Sequence, residues 1–304
     1  MALPIVIIHK CNSRYLIYTI AQAKASNPQS KIYLIGDASN AHYQSVEHHY
    51  IADYFEGAEK FASVYKHRNT NPYRYQVFTH QRWFILNDFL TKNNLDECFY
   101  MDSDVMVYAN LSEEVKKFQE FDITLSKNPS SQTLCAHCTF INNREVLNDF
   151  CHFLIKAYSE PSLFQIMESH YQQCRQNNLP GGACDMVAFR EYEKINYAKI
   201  GLTSIIRENS IYDHSISRSD GFEMKDEMKN IYFIGNQPYC NTIDSEKPIK
   251  FSVLHFQGAT KKHISRFFTG GKDLNFNYYL IRHYLVLAMD RIINKVAGKP
   301  PQLY

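Results

Sequence analysis

The sequence predicts an α/β fold: a Rossmann-type, mainly parallel sheet with helices on both faces and a C-terminal helical segment. Three observations predict it. Residues 5–8, Ile-Val-Ile-Ile, form a continuous apolar run, as in a parallel strand covered on both faces. Leu16, Ile17, Ile20 and Ala23 then recur at helical spacing until Asn27-Pro28 ends the pattern. Residues 31–37 return as a second apolar strand closing on Gly36-Asp37. A strand–helix–strand start implies a right-handed crossover and a doubly wound sheet. Ligands in such sheets bind outside the carboxyl ends of the strands. His9, Cys11, Asn12, Asp37 and Asp102 fall at that edge. Asn12 or Ser13 is the expected cap of the first helix.

The later elements follow from the same periodicities. Residues 75–90 read as a helix with Phe78, Trp83, Phe84, Leu86 and Leu90 among its apolar positions. Residues 122–125 read as a strand and 146–158 as a helix, with a second helix after Glu160-Pro161. Residues 209–226 are polar and read as a long surface loop, of the kind that recognises acceptors. Residues 231–234 and 251–255 are late strands, and 275–296 form a long helix. The expected division is a catalytic domain over 1–270 and a C-terminal segment over 271–304, packed on it or peripheral.

Composition bounds the function. The chain has 304 residues, 45% hydrophobic and 21% charged, which is globular. A net charge of +2 implies no nucleic-acid partner. The 22 Tyr and 20 Phe read mainly as packing residues. Cys135-Ala136-His137-Cys138 lacks the second ligand pair a structural zinc needs. Scattered cysteines, no secretory signal at Met1-Ala2-Leu3-Pro4 and no long apolar run set the expectation of a cytoplasmic enzyme. Lys272, Arg282, Arg291, Lys295 and Lys299 lie among the apolar positions of the C-terminal helix. They raise a second expectation, peripheral contact with the inner face of an anionic membrane.

Three motifs carry chemistry. Asp102-Ser103-Asp104 follows the apolar run Cys98-Phe99-Tyr100-Met101. Paired carboxylates beside a buried strand are costly without a cation, and hard oxygen ligands suit Mg2+ or Mn2+. A solvated turn capped by one Asp is the plainer account of that spacing. His255-Phe256-Gln257-Gly258-Ala259-Thr260-Lys261 delivers an imidazole, a glycine that lets backbone approach a phosphate, and an ammonium suited to phosphate oxygens. Gly181-Gly182-Ala183-Cys184-Asp185-Met186 opens an apolar helix with a carboxylate at its start.

Together these residues resemble a GT-A-fold glycosyltransferase, with a layout similar to family 8, the glycogenin and lipopolysaccharide galactosyltransferase type. His255-x-x-Gly258-x-x-Lys261 is the most specific match. Lys262-His263 stand where the family has Pro-Trp, and Cys184-Asp185-Met186 where it has Asp-Gln-Asp. The resemblance implies that Asp102, Asp104 and His255 hold Mn2+ or Mg2+. It implies that Gly258 and Lys261 clamp a diphosphate, with Arg82 reaching it from the 75–90 helix. Ser103 belongs to the metal motif, and Asn142 to the strand at residues 139–143 that resembles the wall of the sugar pocket. Asp185 is the implied carboxylate near the donor sugar, as base in an inverting reaction or as sugar-orienting group in a retaining one. The implied activity is hexosyl transfer from a nucleotide-diphosphate sugar, UDP favoured, to a glycan or other hydroxyl acceptor. Two alternatives stand beside it. A nucleotidyltransferase would need a glycine-rich loop after the first strand, where His9-Lys10-Cys11-Asn12-Ser13-Arg14 has no glycine. A non-catalytic nucleotide- or carbohydrate-binding module would not need the metal set and Asp185 together.

Overall fold

The structure is a computed structural model, and it describes residues 2–128, 131–195, 198–271 and 274–296. In chain order its elements begin with β1 (Ile5–Ile8), α1 (Leu16–Ser26), β2 (Ile32–Gly36), β3 (Glu47–Tyr50), α2 (Glu56–Val64), α3 (Tyr73–Lys92) and β4 (Cys98–Met101). They continue with β5 (Val105–Val107), α4 (Leu111–Glu114), β6 (Ile123–Lys127), β7 (Leu134–Cys135), β8 (Cys138–Ile141), α5 (Arg144–Ser159), α6 (Pro161–Gln176) and α7 (Asp185–Ile195). The last are β9 (Ile200–Leu202), β10 (Ser210–Tyr212), β11 (Met224–Lys225), β12 (Met228–Lys229), β13 (Tyr232–Ile234), β14 (Gln237–Asn241), β15 (Pro248–His255) and α8 (Leu274–Val296). The chain forms two compact units, Met1–Tyr50 with Met101–Glu114 and Ile205–Tyr304, and Ile51–Tyr100 with Val115–Ser204.

The first unit opens with the expected crossover. β1 pairs in parallel with β2, and β2 with β3. All four β1 residues and all five of β2 are buried, which is why both runs are apolar throughout. Helix α1 starts at Tyr15 without a side-chain cap. Asn12 and Ser13, the expected caps, are engaged elsewhere: the Tyr43 hydroxyl donates to Asn12 Oδ1 (3.0 Å), and Ser13 Oγ meets His9 Nε2 (3.0 Å).

A second sheet in this unit has the order β10-β15-β14-β13, with β5 on the other side of β15. β5 and β15 are antiparallel, and their register sets His255 opposite Val105. A pairing between residues 150 apart in sequence therefore brings the histidine beside the Asp102–Asp104 turn. Residues 209–226 are not one surface loop. Ser210 to Ile216 are buried as β10 and the turn after it, and β10 runs parallel to β15. Their polar residues are consumed internally. Lys229 Nζ, 3% exposed with its residue, donates to Asp213 (2.8 Å), the Ser215 carbonyl (2.7 Å) and Asp220 (3.1 Å).

In the second unit the strand order is β4-β8-β6-β7, and β9 joins β6 in parallel. Helices α3, α5 and α7 share an aromatic core. Trp83 packs against Phe150 and Phe189, and the last two rings stack with centroids 3.7 Å apart. Pro161 occupies the first turn of α6, where its missing N–H costs nothing.

Helix α8 buries Phe276 and His283 and exposes Tyr278, Ile281, Leu285, Met289 and Ile292. Its outward face is thus apolar, with Arg291 also exposed. Lys272 and Lys299, and the side chain of Lys295, lie outside the described residues. Among the described residues no helix is long and apolar enough to cross a membrane.

Candidate metal and nucleotide site

Asp102, Asp104 and His255 come together in the first unit. Each offers a ligand atom, and these atoms lie within 4.8 Å of one another. The turn that presents the carboxylates is closed by Val105 N–H on the Asp102 carbonyl (3.1 Å). It is tied to β15 by Phe256 N–H on the Asp104 carbonyl (3.0 Å). Asp104 and His255 are buried, at 6% and 3% exposure.

The orientation of His255 decides what the cluster can do. Its Nδ1 lies 2.7 Å from the His214 carbonyl, which can only accept, so Nδ1 carries a proton. In the neutral imidazole the ring's lone pair is then on Nε2. It faces Asp104 Oδ1 at 3.7 Å, another Lewis base. Two such bases turned toward each other in a buried site are satisfied by a cation shared between them. Carbonyl-fixed Nδ1 with Nε2 toward the ligand is also the usual arrangement of a metal-bound histidine. Asp213 supports this from behind, accepting His255 N–H on Oδ2 (3.1 Å). The residues therefore fit a hard divalent ion held by two carboxylates and one imidazole.

Lys261 closes the other side. Its Nζ is 3.1 Å from Asp104 Oδ2 and 5.6 Å over the Tyr15 ring, and the Tyr15 hydroxyl meets Ser103 Oγ at 3.3 Å. Gly258 begins the 3-10 segment Gly258–Phe267 with φ +64, a conformation that favours glycine, and nothing lies within 4 Å of where a Cβ would be. His9 sits in the same electrostatic neighbourhood. Burial, and then the Lys261 charge, push its pKa down to about 4 against the opposing pull of Asp104 and Asp37.

Asp37 and Asn12 have structural duties. Asp37 caps the short turn Ala38–Asn40, accepts Ser39 N–H on Oδ1 (2.9 Å), and accepts Cys11 N–H on Oδ2 (2.7 Å). Cys11 itself has φ 72, so this bond fixes a strained bend after β1. Asn40 ties the same bend down, donating to the carbonyls of His9 and Cys11. It packs where Gly36 leaves room: a Cβ there would meet Asn40 Oδ1 at 2.0 Å.

The remaining sequence candidates belong to the second unit. Arg82 Nη2 pairs with Asp185 Oδ2 at 2.6 Å, and Trp83 Nε1 donates to the same oxygen at 3.2 Å. Oδ1 accepts Met186 N–H (3.1 Å). Both oxygens of this 4%-exposed carboxylate thus have donors. Asn142 donates to the carbonyls of Phe118 (2.8 Å) and Phe121 (2.9 Å), closing the chain before β6. Cys135 Sγ and His137 Nδ1 are 3.3 Å apart and buried.

Sequence reasoning missed Tyr15, His214, Asp213 and Lys229. Tyr15 has no motif signal. Asp213 and His214 sat in the 209–226 stretch read as a surface loop and Lys229 just beyond it, and the parallel β10–β15 pairing with the Lys229–Asp213 contact reveals them.

No family model and no curated protein matches the chain. Solved structures similar to it include mouse xyloside xylosyltransferase 1, with 10% identity and a TM-score of 0.46, over 66% of this chain and 84% of that one. An active-site mutant of LgtC gives 12% identity and a TM-score of 0.44, over 87% and 95%. The glycosyltransferase GlyE of Streptococcus pneumoniae gives 12% and 0.43, over 92% and 63%. The first of these is named as a xylosyltransferase and the last as a glycosyltransferase.

Proposed function

We propose that the chain is a metal-dependent glycosyltransferase that moves a sugar from a nucleotide-diphosphate donor, UDP-sugar favoured, to a hydroxyl acceptor. One observation carries the reading: His255 Nε2 faces the Asp104 carboxylate at 3.7 Å, with Asp102 offering a third ligand atom in the same cluster. A Mn2+ or Mg2+ ion there would act as a Lewis acid toward the two phosphates. Lys261, 3.1 Å from Asp104 Oδ2, would receive negative charge on the departing diphosphate. The Gly258 N–H is the assigned backbone donor to the same group. Ser103, His9, Asn12 and Asp37 frame the nucleotide side, the last two by holding the bend after β1. Asp185 is the assigned sugar-facing carboxylate. Its bonds to Arg82 and Trp83 suit a fixed electrostatic role better than proton abstraction, because a base must give up its donors to work. Arg82 then acts on the donor through Asp185. The exposed apolar face of α8 with Arg291 supports a peripheral membrane contact.

The test is product release from a panel of nucleotide sugars after chelation, with and without added Mn2+. Metal-stimulated release of nucleoside diphosphate supports the reading. Pyrophosphate release from a nucleoside triphosphate and sugar phosphate would replace it with nucleotidyl transfer. Tight binding without any turnover would leave a binding module.

A further inference from the structure

A cavity of about 290 Å3 lies within the first unit, walled by α1, α8 and residues 42–45. Helix spacing makes its walls. Ile17, Ile20 and Lys24 recur at steps of three and four along one face of α1, and Phe276, Tyr279 and Arg282 at steps of three along α8. Phe268 closes one side and stacks on Phe276 with ring centroids 4.6 Å apart. The lining is therefore chiefly apolar.

Its charge has one sign. Two cations line the cavity, Lys24 and Arg282, and no aspartate or glutamate does. Lys24 Nζ is engaged by the carbonyls of Pro28 (3.0 Å) and Ser30 (3.2 Å). Arg282 is half-buried, and among the described residues it has no ion pair and no hydrogen bond. Its charge reaches the interior wall. Burial lowers the pKa of His42, and Arg282 lowers it further, against the Ser39 backbone and Asp290. Burial pushes His283 down to about 4. Both rings are thus neutral at pH 7, and the positive charge at the cavity is that of the two longer side chains. A guanidinium beside an apolar hollow offers a rigid fork that fits a carboxylate or a phosphate.

We infer that this cavity binds an anionic amphiphile: one acyl chain lies between α1 and α8, with its carboxylate or phosphate on Arg282. The volume is near the lower end of ligand pockets, which suits a single chain rather than a two-chain lipid. The apolar walls offer few partners to the many hydroxyls of a bare sugar. A cationic head is repelled by Lys24 and Arg282, and a neutral one leaves Arg282 without a counter-charge. The site stands apart from the metal and nucleotide residues, none of which lines the cavity.

The experiment is calorimetric titration of the full chain with decanoate, decyl phosphate, decanol and decyltrimethylammonium, each below its micelle concentration. The two anions should bind saturably, one per chain and about tenfold tighter than decanol, the worth of a hydrogen bond to a charged group. Decyl phosphate ahead of decanoate identifies a lipid phosphate, and the reverse order a free fatty acid. Arg282→Gln should remove the preference for anions and leave decanol binding unchanged. Arg282→Lys, which keeps the charge without the fork, should restore part of it. Ala21→Trp should fill the cavity and abolish binding of all four. The arginine variants sit at a half-exposed position, so they report even if the tryptophan variant unfolds. Equal binding of decanoate and decanol to the wild type, tighter binding of the ammonium, or an unchanged preference in Arg282→Gln would each overturn the inference. So would binding that survives in a folded Ala21→Trp chain, because it would lie on the outer face of α8.

Discussion

Asp104→Asn separates the two charges that meet at this carboxylate. Asp104 faces His255 Nε2 at 3.7 Å and Lys261 Nζ at 3.1 Å. Two unit charges about 4 Å apart interact by about 4 kcal/mol at an effective dielectric of 20. The amide oxygen retains some ligand strength and water replaces some of the rest. The net loss in metal-assisted charge stabilisation is therefore about 3 kcal/mol, or roughly 100-fold in donor turnover. The variant acts on Lys261 with the opposite sign, because the ammonium loses its counter-charge and is left to the diphosphate. Mn2+ affinity should thus collapse while UDP binding in EDTA holds or rises. Calorimetric titration of Mn2+ and of UDP into wild type and variant reads both quantities. A Mn2+ affinity within about threefold of wild type would refute the metal assignment. So would near-normal turnover by the variant in chelator. A parallel fall in UDP binding without metal would mean the substitution had damaged the fold.

Four further outcomes are expected. Lys261→Ala should weaken UDP more than uridine, because the lysine contacts only phosphate; equal losses by calorimetry would count against it. Lys229→Met should cost about 3–5 kcal/mol in denaturant unfolding, by leaving Asp213 buried without its cation, and adding Asp213→Asn should recover part of it. His9, His214 and His283 are each held at about 4 against an unfolded 6.5, chiefly by burial. Their neutral forms stabilise the fold above pH 6.5, and that stability drains as pH falls toward 4, by roughly 1.4 kcal/mol per pH unit for each histidine. His214→Gln should make the slope shallower by one proton in urea titrations at pH 7, 6 and 5. The apolar face of α8 should give salt-sensitive sedimentation with anionic vesicles, lost in Arg291→Glu; no sedimentation at low salt would remove the membrane contact.

The sequence by itself determined the parts whose signal is local. Continuous apolar runs announced β1 and β2, and the 3.6-residue rhythm announced α1, α3, α5 and α8. The motif spacings named Asp102, Asp104, His255, Gly258 and Lys261 before any strand was paired. These follow from burial patterns and residue chemistry, which a linear string carries. What it did not carry is how polar groups are spent. Asn12 and Ser13 had the chemistry of helix caps, but Tyr43 and His9 took their side chains. Residues 210–216 looked solvated because they are polar, yet β10 lies beside β15 and their charges are neutralised by Lys229 from farther along the chain. Arg82 read as a phosphate ligand from its place in the sequence, and its contact with Asp185 comes only from the packing of α7 against α3. The proton on His255 Nδ1, which turns Nε2 toward Asp104, is set by the His214 carbonyl 41 positions away. Hydrogen bonds between distant residues are decided by register and packing, and only the tertiary structure fixes those.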